Sequence, residues 1–186
     1  MEYTEIEVRF LEIDKEKLIA QLHLLGAQDH GEHMLEDVVM YDEALTWRDK
    51  GGTSLRLRTY NGKTFLTYKH RRELSATGTD EIEFEVSSAA AAEEFLSRIG
   101  YVAYRHQQKR RRSFLIDDVM VDIDDWPRIP TYVELEGPSE DALKAVAERL
   151  NLDWAHVEFR TPRMVIEEVY KIPLGTLRWF TFDRLE

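Results

Sequence analysis

Charged residues of one sign alternate with apolar residues along several short segments of this chain, and each segment carries mostly acids or mostly bases. The acidic segments are Glu5-Ile6-Glu7, Glu81-Ile82-Glu83-Phe84-Glu85, Asp122-Ile123-Asp124 and Glu134-Leu135-Glu136, and the basic ones are Arg56-Leu57-Arg58 and Lys109-Arg110-Arg111. Because successive side chains of a β-strand point to opposite faces, each segment projects its charges from one face. The pattern therefore predicts strands that place like charges together, opposite an apolar face.

Composition limits the classes of protein that this chain can form. Its 186 residues slightly exceed the commonest domain size of about 100–150, and nothing reads as a long linker, so we expect a single domain over residues 1–186. The absence of cysteine excludes disulfides and thiolate chemistry. The N-terminus lacks a signal-peptide layout, and no apolar run approaches the roughly 20 residues of a membrane span. We therefore expect a cytoplasmic protein without a membrane partner.

The distribution of charge indicates the kind of anion that the chain can bind. A net charge of −11 argues against binding to duplex nucleic acid, since that affinity comes mostly from neutralising phosphates with Lys and Arg. Two locally basic segments, Lys69-His70-Arg71-Arg72 and residues 105–112, interrupt the acidic background. These segments favour a small, highly charged anion as partner.

Period-two and period-three-to-four patterns predict a mixture of strands and helices. Strands are predicted over residues 4–13, 38–41, 54–60, 64–70, 81–86, 109–116, 119–124 and 131–136, and helices over 14–25, 87–99, 139–150 and 162–170. Asn61-Gly62 is a strong two-residue hairpin signal, and Asp117-Asp118 is a weaker one. An acidic strand followed by a helix and a glycine occurs twice, ending at Gly26 and Gly100, so two similar halves could close a barrel.

Two orientations of the charged face are open. An antiparallel sheet commonly keeps its apolar face in the core and its charged face in water. Solvated faces usually mix signs, however, because like charges repel and opposite charges help cross-strand pairing. Here the strands are sorted by sign, and the predicted helices need an apolar surface to cover. We therefore expect helices on the apolar outer face and charges lining the inside of the barrel.

An inward charged face needs counter-ions. Carboxylates about 5 Å apart repel by roughly 3 kcal/mol per pair at an effective dielectric constant of about 20. Oxygen-only ligation, with no cysteine and no suitably spaced histidine, favours Mg²⁺ or Mn²⁺ as the neutralising ion. The bases on the opposite strands would then hold phosphate oxygens, with Arg offering bidentate contacts and Lys a point charge.

These segments occur in an order that resembles a known family. The chain opens with Glu5-Ile6-Glu7-Val8-Arg9 and continues with Leu55-Arg56-Leu57-Arg58, Tyr68-Lys69, Glu81-Ile82-Glu83, Lys109 with Arg111, Ile123-Asp124 and Tyr132-Val133-Glu134-Leu135-Glu136-Gly137. This ordered set resembles the CYTH superfamily, or triphosphate tunnel metalloenzymes, over about residues 3–170. The superfamily includes class IV adenylate cyclases, thiamine triphosphatases and inorganic triphosphatases. Its opening signature is Glu-x-Glu-x-Lys, so Arg9 stands where the signature has Lys; the charge is kept, but the shape differs.

The resemblance implies an α+β fold, in which a closed eight-stranded antiparallel β-barrel forms a tunnel with helices packed on the outside. It implies metal ligation by Glu5, Glu7, Asp124, Glu134 and Glu136, with Mg²⁺ or Mn²⁺ as cofactor. It implies that Arg9, Arg56, Arg58, Lys69, Lys109 and Arg111 grip the triphosphate. We expect Arg9 and Lys69 to take part in catalysis as well.

The activity that the resemblance implies depends on which phosphorus is attacked. Chain length and the spacing from Asp124 to Glu134 resemble the class IV adenylate cyclase branch, which converts ATP to cAMP and pyrophosphate. The alternatives are an inorganic, nucleoside or thiamine triphosphatase that releases orthophosphate, and a non-catalytic binder of polyphosphate or nucleotide, which Arg9 would favour. The partner in each case is a small-molecule triphosphate, namely ATP, tripolyphosphate or thiamine triphosphate.

The extension over residues 171–186 matches no pattern of that family. Its aromatic residues Trp179, Phe180 and Phe182 predict packing on the body of the protein, or on a second subunit if the chain forms a homodimer; a tunnel lid is a further interpretation. A purely structural scaffold is the remaining class, but it offers no reason to sort strands by charge.

Overall fold

A computed structural model describes residues 3–186, except for the side chains of Tyr3, Thr4 and Glu5. In this part of the chain the strands are β1 (Tyr3–Glu5), β2 (Glu7–Phe10), β3 (Gln28–Asp42), β4 (Thr53–Tyr60), β5 (Lys63–Arg71), β6 (Thr79–Val86), β7 (Tyr101–Ile116), β8 (Val119–Asp125), β9 (Tyr132–Glu136) and β10 (Trp179–Phe180). The helices are α1 (Lys15–Leu24), α2 (Thr46–Lys50), α3 (Ala89–Arg98), α4 (Glu140–Arg149) and α5 (Pro162–Met164), the last continuing into a π-helical turn over Val165–Val169.

One curled sheet organises the molecule. Its strand order is β1-β6-β5-β4-β3-β7-β8-β9-β2, with all neighbours antiparallel, and β10 joins β7 in parallel. The two ends of this order, β1 and β2, are consecutive in the sequence, but no strand ladder between them is described. The sheet is therefore a half-barrel with helices, and closure into a complete barrel is not shown.

The described sheet has ten strands, so the expected number of eight is wrong. The predicted first strand breaks at Ile6, where its partner changes from β6 to β9. At this break the Glu7 amide donates to the Ala76 carbonyl (3.0 Å), and the Gly137 amide donates to the Ile6 carbonyl (3.1 Å). The tenth strand, β10, comes from the C-terminal extension, where no strand was predicted.

Local chemistry fixes the connections between these elements. Asn61 and Gly62 have φ values of 50° and 74° and form the two-residue turn between β4 and β5, as predicted. Asp117 and Asp118, at 50° and 61°, make the corresponding turn between β7 and β8. Asp14, Ser88 and Ser139 cap α1, α3 and α4 by accepting hydrogen bonds from backbone amides of the first turn. The three main helices therefore begin where their capping residues predict.

The outward apolar face of the sheet is buried beneath helices. Val8 and Phe10 of β2 pack with the apolar residues of β8 and β9 against α1 and α4. A second cluster places Leu96 of α3 against Leu55 and Leu57 of β4. Because the side chains of a strand alternate, this packing turns the charged residues of the same strands to the other side.

The outer face of β6 departs from the prediction. Ile82 and Phe84 were expected beneath a helix, but each is 53% exposed. The helix α3 packs on β4 and β7 and does not reach that far across the sheet. The apolar outer face is therefore covered only in part.

The C-terminal extension packs on the body of the protein. Phe180 is fully buried with Trp126 and Tyr132, while Trp179 stacks on His106 of β7 at 4.3 Å between ring centroids. Between residues 3 and 186, no helix combines the length and apolar character that a membrane span requires.

Two leucines of α1 give a direct test of this orientation. Leu22 is fully buried and Leu24 is 82% exposed, so Leu22→Ala should lower the free energy of unfolding by about 2–5 kcal/mol. The matched change Leu24→Ala should alter it by less than about 0.5 kcal/mol. Urea unfolding followed by circular dichroism measures both, and equal losses would contradict the packing of α1 on the sheet.

Candidate active site

The inner face of the half-barrel bounds a cavity of about 640 Å³. Among the described residues, nine bases and five carboxylates line it. The bases are Arg9, Arg56, Arg58, Lys69, Arg71, Arg105, Lys109, Arg111 and Arg163, and the carboxylates are Glu7, Glu81, Glu83, Glu134 and Glu136. The six residues predicted to bind triphosphate are all in this set. In a chain with a net charge of −11, this surface is a local excess of positive charge.

The predicted metal ligands occupy different positions. Glu7, Glu134 and Glu136 line the cavity. Asp124 has no exposed surface and lies behind the wall, held by two bases. The side chain of Glu5 lies outside the described part of the chain.

Arg9 connects two of these carboxylates. Its Nε donates to Glu134 Oε1 (2.7 Å), its Nη2 donates to Glu7 Oε1 (2.6 Å), and its Nη1 donates to the Arg160 carbonyl (3.0 Å). Burial acts against the charged form of Glu134, but the combined attraction of Arg9, Lys109 and Arg111 outweighs it and holds the pKa of Glu134 well below its usual range. Arg9 and both carboxylates are therefore charged and tightly paired.

A second ion-pair group surrounds Asp124. Lys109 Nζ donates to Asp124 Oδ2 (2.6 Å), and Arg111 donates to both Asp124 oxygens and to Asp122. Arg111 also contacts the second oxygen of Glu134. Burial, together with the charge of Arg111, lowers the pKa of Lys109 to about 8 in spite of Asp124. The pKa of Lys109 is therefore closer to neutral pH than the pKa of an ordinary lysine.

Arg58 and Arg56 differ in their partners although they share one strand face. Arg58 makes a two-pronged pair with Asp37 (2.7 and 2.9 Å), and Gln107 donates to the same carboxylate. Among the described residues Arg56 has no ion-pair partner, and its buried Nε makes no hydrogen bond. Burial and the neighbouring Arg58 lower the pKa of Arg56. The positive charge of Arg56 is thus the least compensated of those from β4.

The acidic end of the cavity is made by Glu81, Glu83 and Glu136. Lys69 pairs with Glu81 (3.1 Å), and Thr67 donates to Glu83 (2.6 Å). Glu136 reaches solvent, but its partial enclosure by protein atoms raises its pKa to about 7, and nearby Glu7 and Glu81 add to the rise against the opposing effect of Lys69. Such a carboxylate favours a nearby cation.

The carboxylates fit a divalent metal ion in chemical type but are not arranged as a ready-made site. Their oxygen donors are those that Mg²⁺ and Mn²⁺ prefer. Within the described residues, however, no three His, Asp or Glu side chains converge on a common metal position. The reason is visible in the ion pairs, since Glu7, Glu134 and Asp124 already face internal bases.

Sequence reasoning missed several residues of the cavity and its wall. Arg71 follows the predicted end of its strand by one residue, and Asp37 precedes another predicted strand by one. Arg105 and Gln107 lie on the same face as Lys109, in a strand that was predicted to begin only at residue 109. Extending each strand at period two would have found these four residues. Arg163 lies in α5, and no sequence pattern indicated that it would line the cavity.

One part of the cavity wall is apolar. Val39, Trp126, Pro162, Ile166 and Leu174 lie there, and the last three come from the segment after residue 160. Arg105, which is 3% exposed, lies beside this wall, and the acceptors that it contacts among the described residues are neutral groups, including Gln107 Oε1 (2.9 Å) and the Leu174 carbonyl (3.2 Å). The cavity therefore joins a highly charged section to an apolar section with buried positive charge.

A curled antiparallel sheet whose charged inner face carries paired acids and an excess of bases defines a class of anion-binding fold. The family model for the CYTH domain matches residues 3–156, so this chain belongs to the CYTH family. Members of this family act as triphosphate-processing enzymes and are generally metal-dependent. The predicted family membership is therefore confirmed.

Solved structures from several organisms are similar to this chain. The PH1012 protein of Pyrococcus horikoshii OT3 is 25% identical, with a TM-score of 0.70 over 84% of this chain and 96% of that one. A Vibrio parahaemolyticus protein provisionally described as an adenylate cyclase is 17% identical, with a TM-score of 0.74 over 90% and 99%. A Hippeastrum protein provisionally described as an adenylyl cyclase, with a dominant triphosphatase activity, is 16% identical, with a TM-score of 0.64 over 91% and 98%. The last two show the fold alone. No curated protein matches this chain.

The Asp37–Arg58 pair predicts a loss of stability on substitution. Asp37→Asn leaves the Arg58 charge buried without its partner, so the free energy of unfolding should fall by about 3–5 kcal/mol at neutral pH. Burial alone would raise the pKa of Asp37, but Arg58 holds it well below its usual range. The stabilisation is therefore present at neutral pH and is lost as the pH falls below the unfolded value of about 4.

Urea unfolding of the wild type and the Asp37→Asn variant, at neutral pH and near pH 3, measures the difference between their free energies of unfolding. We expect it to narrow on acidification. Glu85→Gln, which removes an exposed pair with Lys63, is the control and should cost less than about 1 kcal/mol. A difference that widens towards low pH would contradict the assigned direction of the pKa shift.

Proposed function

We propose that this protein binds ATP in the cavity and converts it to cAMP and pyrophosphate in a metal-dependent reaction. The observation that carries the proposal is the excess of bases among the lining residues, nine against five carboxylates in the described part of the chain. Asp37, Asp122 and Asp124 compensate some of these bases from behind the wall. A polyanion would supply charge to Arg56 and Arg105, which have no ion-pair partner in the described part of the chain. Arg residues suit the phosphoryl oxygens because each guanidinium offers two parallel donors.

The triphosphate is held in this proposal by Arg9, Arg56, Arg58, Lys69, Lys109 and Arg111. Arg56 would be the first contact, because its charge has no ion-pair partner to give up among the described residues. Lys109 and Arg111 must exchange a contact with Asp124 for one with phosphate. The strands that carry these bases come from both sides of the curled sheet. We infer that β1 and β2 close the sheet into a tunnel around the bound triphosphate.

A Mg²⁺ or Mn²⁺ ion, when bound, would neutralise phosphate charge and polarise the phosphorus that is attacked. Glu7, Glu134 and Glu136 would hold it from the cavity wall, with Asp124 and Glu5 as further predicted ligands. Glu136 suits this role because partial enclosure and neighbouring carboxylates disfavour its charged form until a cation arrives. Arg9, which pairs with Glu134, and Lys69, which pairs with Glu81, are the proposed catalytic residues.

The apolar section of the cavity supports an organic triphosphate as substrate. At the roughly 30 Å³ that each water molecule occupies in the liquid, the 13 or so non-hydrogen atoms of a triphosphate fill only about 390 Å³. The cavity of about 640 Å³ leaves room for an attached group. Val39, Trp126 and Leu174 offer that group an apolar surface.

Charge beside the apolar section favours a neutral organic group over a cationic one. Arg105 donates to neutral acceptors, and Arg163 lies close enough to oppose its charge. Glu167 pairs with Arg163 (3.0 Å), which leaves the charge of Arg105 uncompensated by a hydrogen-bonded carboxylate. The cationic thiazolium of thiamine would be repelled here, whereas adenosine carries no charge.

In the proposed reaction the ribose 3′-oxygen forms a bond to the α-phosphorus while the bond from that phosphorus to the bridging oxygen breaks. The hydroxyl proton is lost to solvent or a base, and pyrophosphate leaves with the electron pair. The bases of the cavity stabilise the charge that builds on the departing pyrophosphate.

Hydrolysis of the terminal phosphate bond is the second candidate. Hydrolysis needs the same binding of the triphosphate, but water is the nucleophile. Glu136, at the acidic end of the cavity, is an exposed residue. Solvent therefore reaches that end of the cavity.

Product analysis separates these reactions. We expect purified protein with Mg²⁺ or Mn²⁺ to form cAMP and pyrophosphate from ATP, and to bind thiamine triphosphate less tightly than ATP. Chromatography of the products and calorimetric titration measure the two results. Release of orthophosphate would establish a triphosphatase instead, and tight binding without any product would establish a non-catalytic binder.

Arg56 allows binding and stability to be separated. Because burial and Arg58 disfavour its charge in the free protein, Arg56→Gln should leave the unliganded melting temperature unchanged or raise it. The same variant should bind tripolyphosphate at least about tenfold more weakly, the loss of roughly 1.4 kcal/mol. Arg98→Gln, at an exposed pair with Glu94, is the matched control and should change neither value. Undiminished binding by Arg56→Gln would contradict its assigned role.

A further inference from the structure

Arg9 holds two predicted metal ligands in a geometry that a lysine cannot reproduce. Three nitrogen atoms of its guanidinium donate separately to Glu134, Glu7 and the Arg160 carbonyl. A lysine amine would make all its hydrogen bonds from a single atom at the end of a flexible stem. The planar fork therefore fixes the positions of two carboxylates from different strands.

The backbone around Arg9 holds the guanidinium in place. The Arg9 amide donates to the Glu158 carbonyl (3.0 Å), and the Glu158 amide donates back to the Arg9 carbonyl (2.8 Å). The Arg160 side chain pairs with Glu158 (2.5 Å), which anchors the carbonyl that receives Arg9 Nη1. Arg9 itself is 2% exposed. This arrangement is built into the fold and is not an accidental surface contact.

Such a pair works against metal binding in the free protein. A divalent ion at Glu7 and Glu134 would lie next to the Arg9 charge in a poorly solvated cavity, where like charges repel strongly. One oxygen of each carboxylate already accepts from Arg9, and the second oxygen of Glu134 contacts Arg111. The same guanidinium lines the cavity, so a bound triphosphate can offer it other acceptors.

We propose that Arg9 withholds Glu7 and Glu134 from the metal until a triphosphate takes over the hydrogen bonds of the guanidinium. The inference rests on the proposed function, because the triphosphate is the group that releases the clamp formed by Arg9, Glu7 and Glu134. Metal and triphosphate then bind cooperatively, and each strengthens the other by the same factor. Arg9 is on this account a positioning residue for the metal ligands.

The first test measures Mn²⁺ binding to the full chain without any triphosphate, from the electron paramagnetic resonance signal of the free ion. Wild-type protein should bind Mn²⁺ weakly. Arg9→Lys should bind Mn²⁺ at least tenfold more tightly, because the planar guanidinium that holds both carboxylates is lost. Arg112→Lys is the matched control; its exposed pair with Asp29 (2.5 Å) lies away from the cavity, so its affinity should equal that of the wild type. Equal Mn²⁺ affinity of a folded Arg9→Lys variant and the wild type would overturn the proposal.

The second test needs no variant and so does not depend on how Arg9→Lys folds. In wild-type protein with ¹⁵N-labelled arginine, the Nε–H resonance of Arg9 should shift when tripolyphosphate is added without metal, while that of Arg112 should stay. An unchanged Arg9 resonance at saturating tripolyphosphate overturns the proposal. Saturation is established by calorimetry on the same sample. If calorimetry detects no tripolyphosphate binding with or without Mg²⁺, the proposed function fails instead, so the two failures are distinct.

Discussion

The ion pairs across the inner face of the sheet are the interactions on which the rest of the structure depends. Helices α1, α3 and α4 cover the apolar side, and this leaves the charged side of the same strands facing a confined space. Charges removed from water must be paired or they destabilise the fold by several kcal/mol. The groups around Arg9 and around Asp124 supply that pairing. The cavity can exist because acids and bases lie next to each other on neighbouring strands.

Pairing is incomplete among the described residues, and the unpaired bases are the basis of the proposed anion binding. Arg56 lacks a hydrogen-bonded counter-ion in the described structure, and Arg105 is buried among neutral acceptors. Both arrangements lower the stability of the free protein relative to an apolar or fully paired alternative. In the proposed function, a bound anion would compensate this loss of stability, a compromise that is common at binding sites. The unpaired bases would then be a preformed complement to the charge of the triphosphate.

Much of this arrangement could be predicted from the sequence. Period-two alternation specifies the face of the sheet on which a side chain lies, but it does not specify which residue of another strand lies beside it. Glu7, Arg56 and Lys109 could be assigned to one surface from alternation and family order, and the structure places them on one cavity. The ion-pair partners could not be assigned, because the pairing of Arg9 with Glu134 joins residues 125 positions apart. Strand ends were also misjudged, since Arg105 and Gln107 continue the pattern through residues with weak strand preference.

The apolar section of the cavity was beyond prediction for a different reason. Ile166 and Leu174 belong to a segment with mixed helical and irregular structure, whose position depends on packing against Trp126 and Phe180. No local pattern encodes such a contact. Family resemblance does not supply it either, because the family model ends at residue 156. The charged section of the cavity thus follows from strand chemistry, whereas the apolar section follows from tertiary packing.

Register is the constraint that keeps these two sections in one cavity. A slip of one residue in any ladder would turn a row of charges into the apolar layer beneath the helices and turn the apolar row into the cavity. The two-residue turns at Asn61-Gly62 and Asp117-Asp118 oppose such a slip, because their positive φ values fit one pairing of the flanking strands. The β4–β5 turn sets the face of Arg56 and Lys69, and the β7–β8 turn sets that of Arg111 and Asp124. Four turn residues that do not line the cavity therefore help to determine which charges face it.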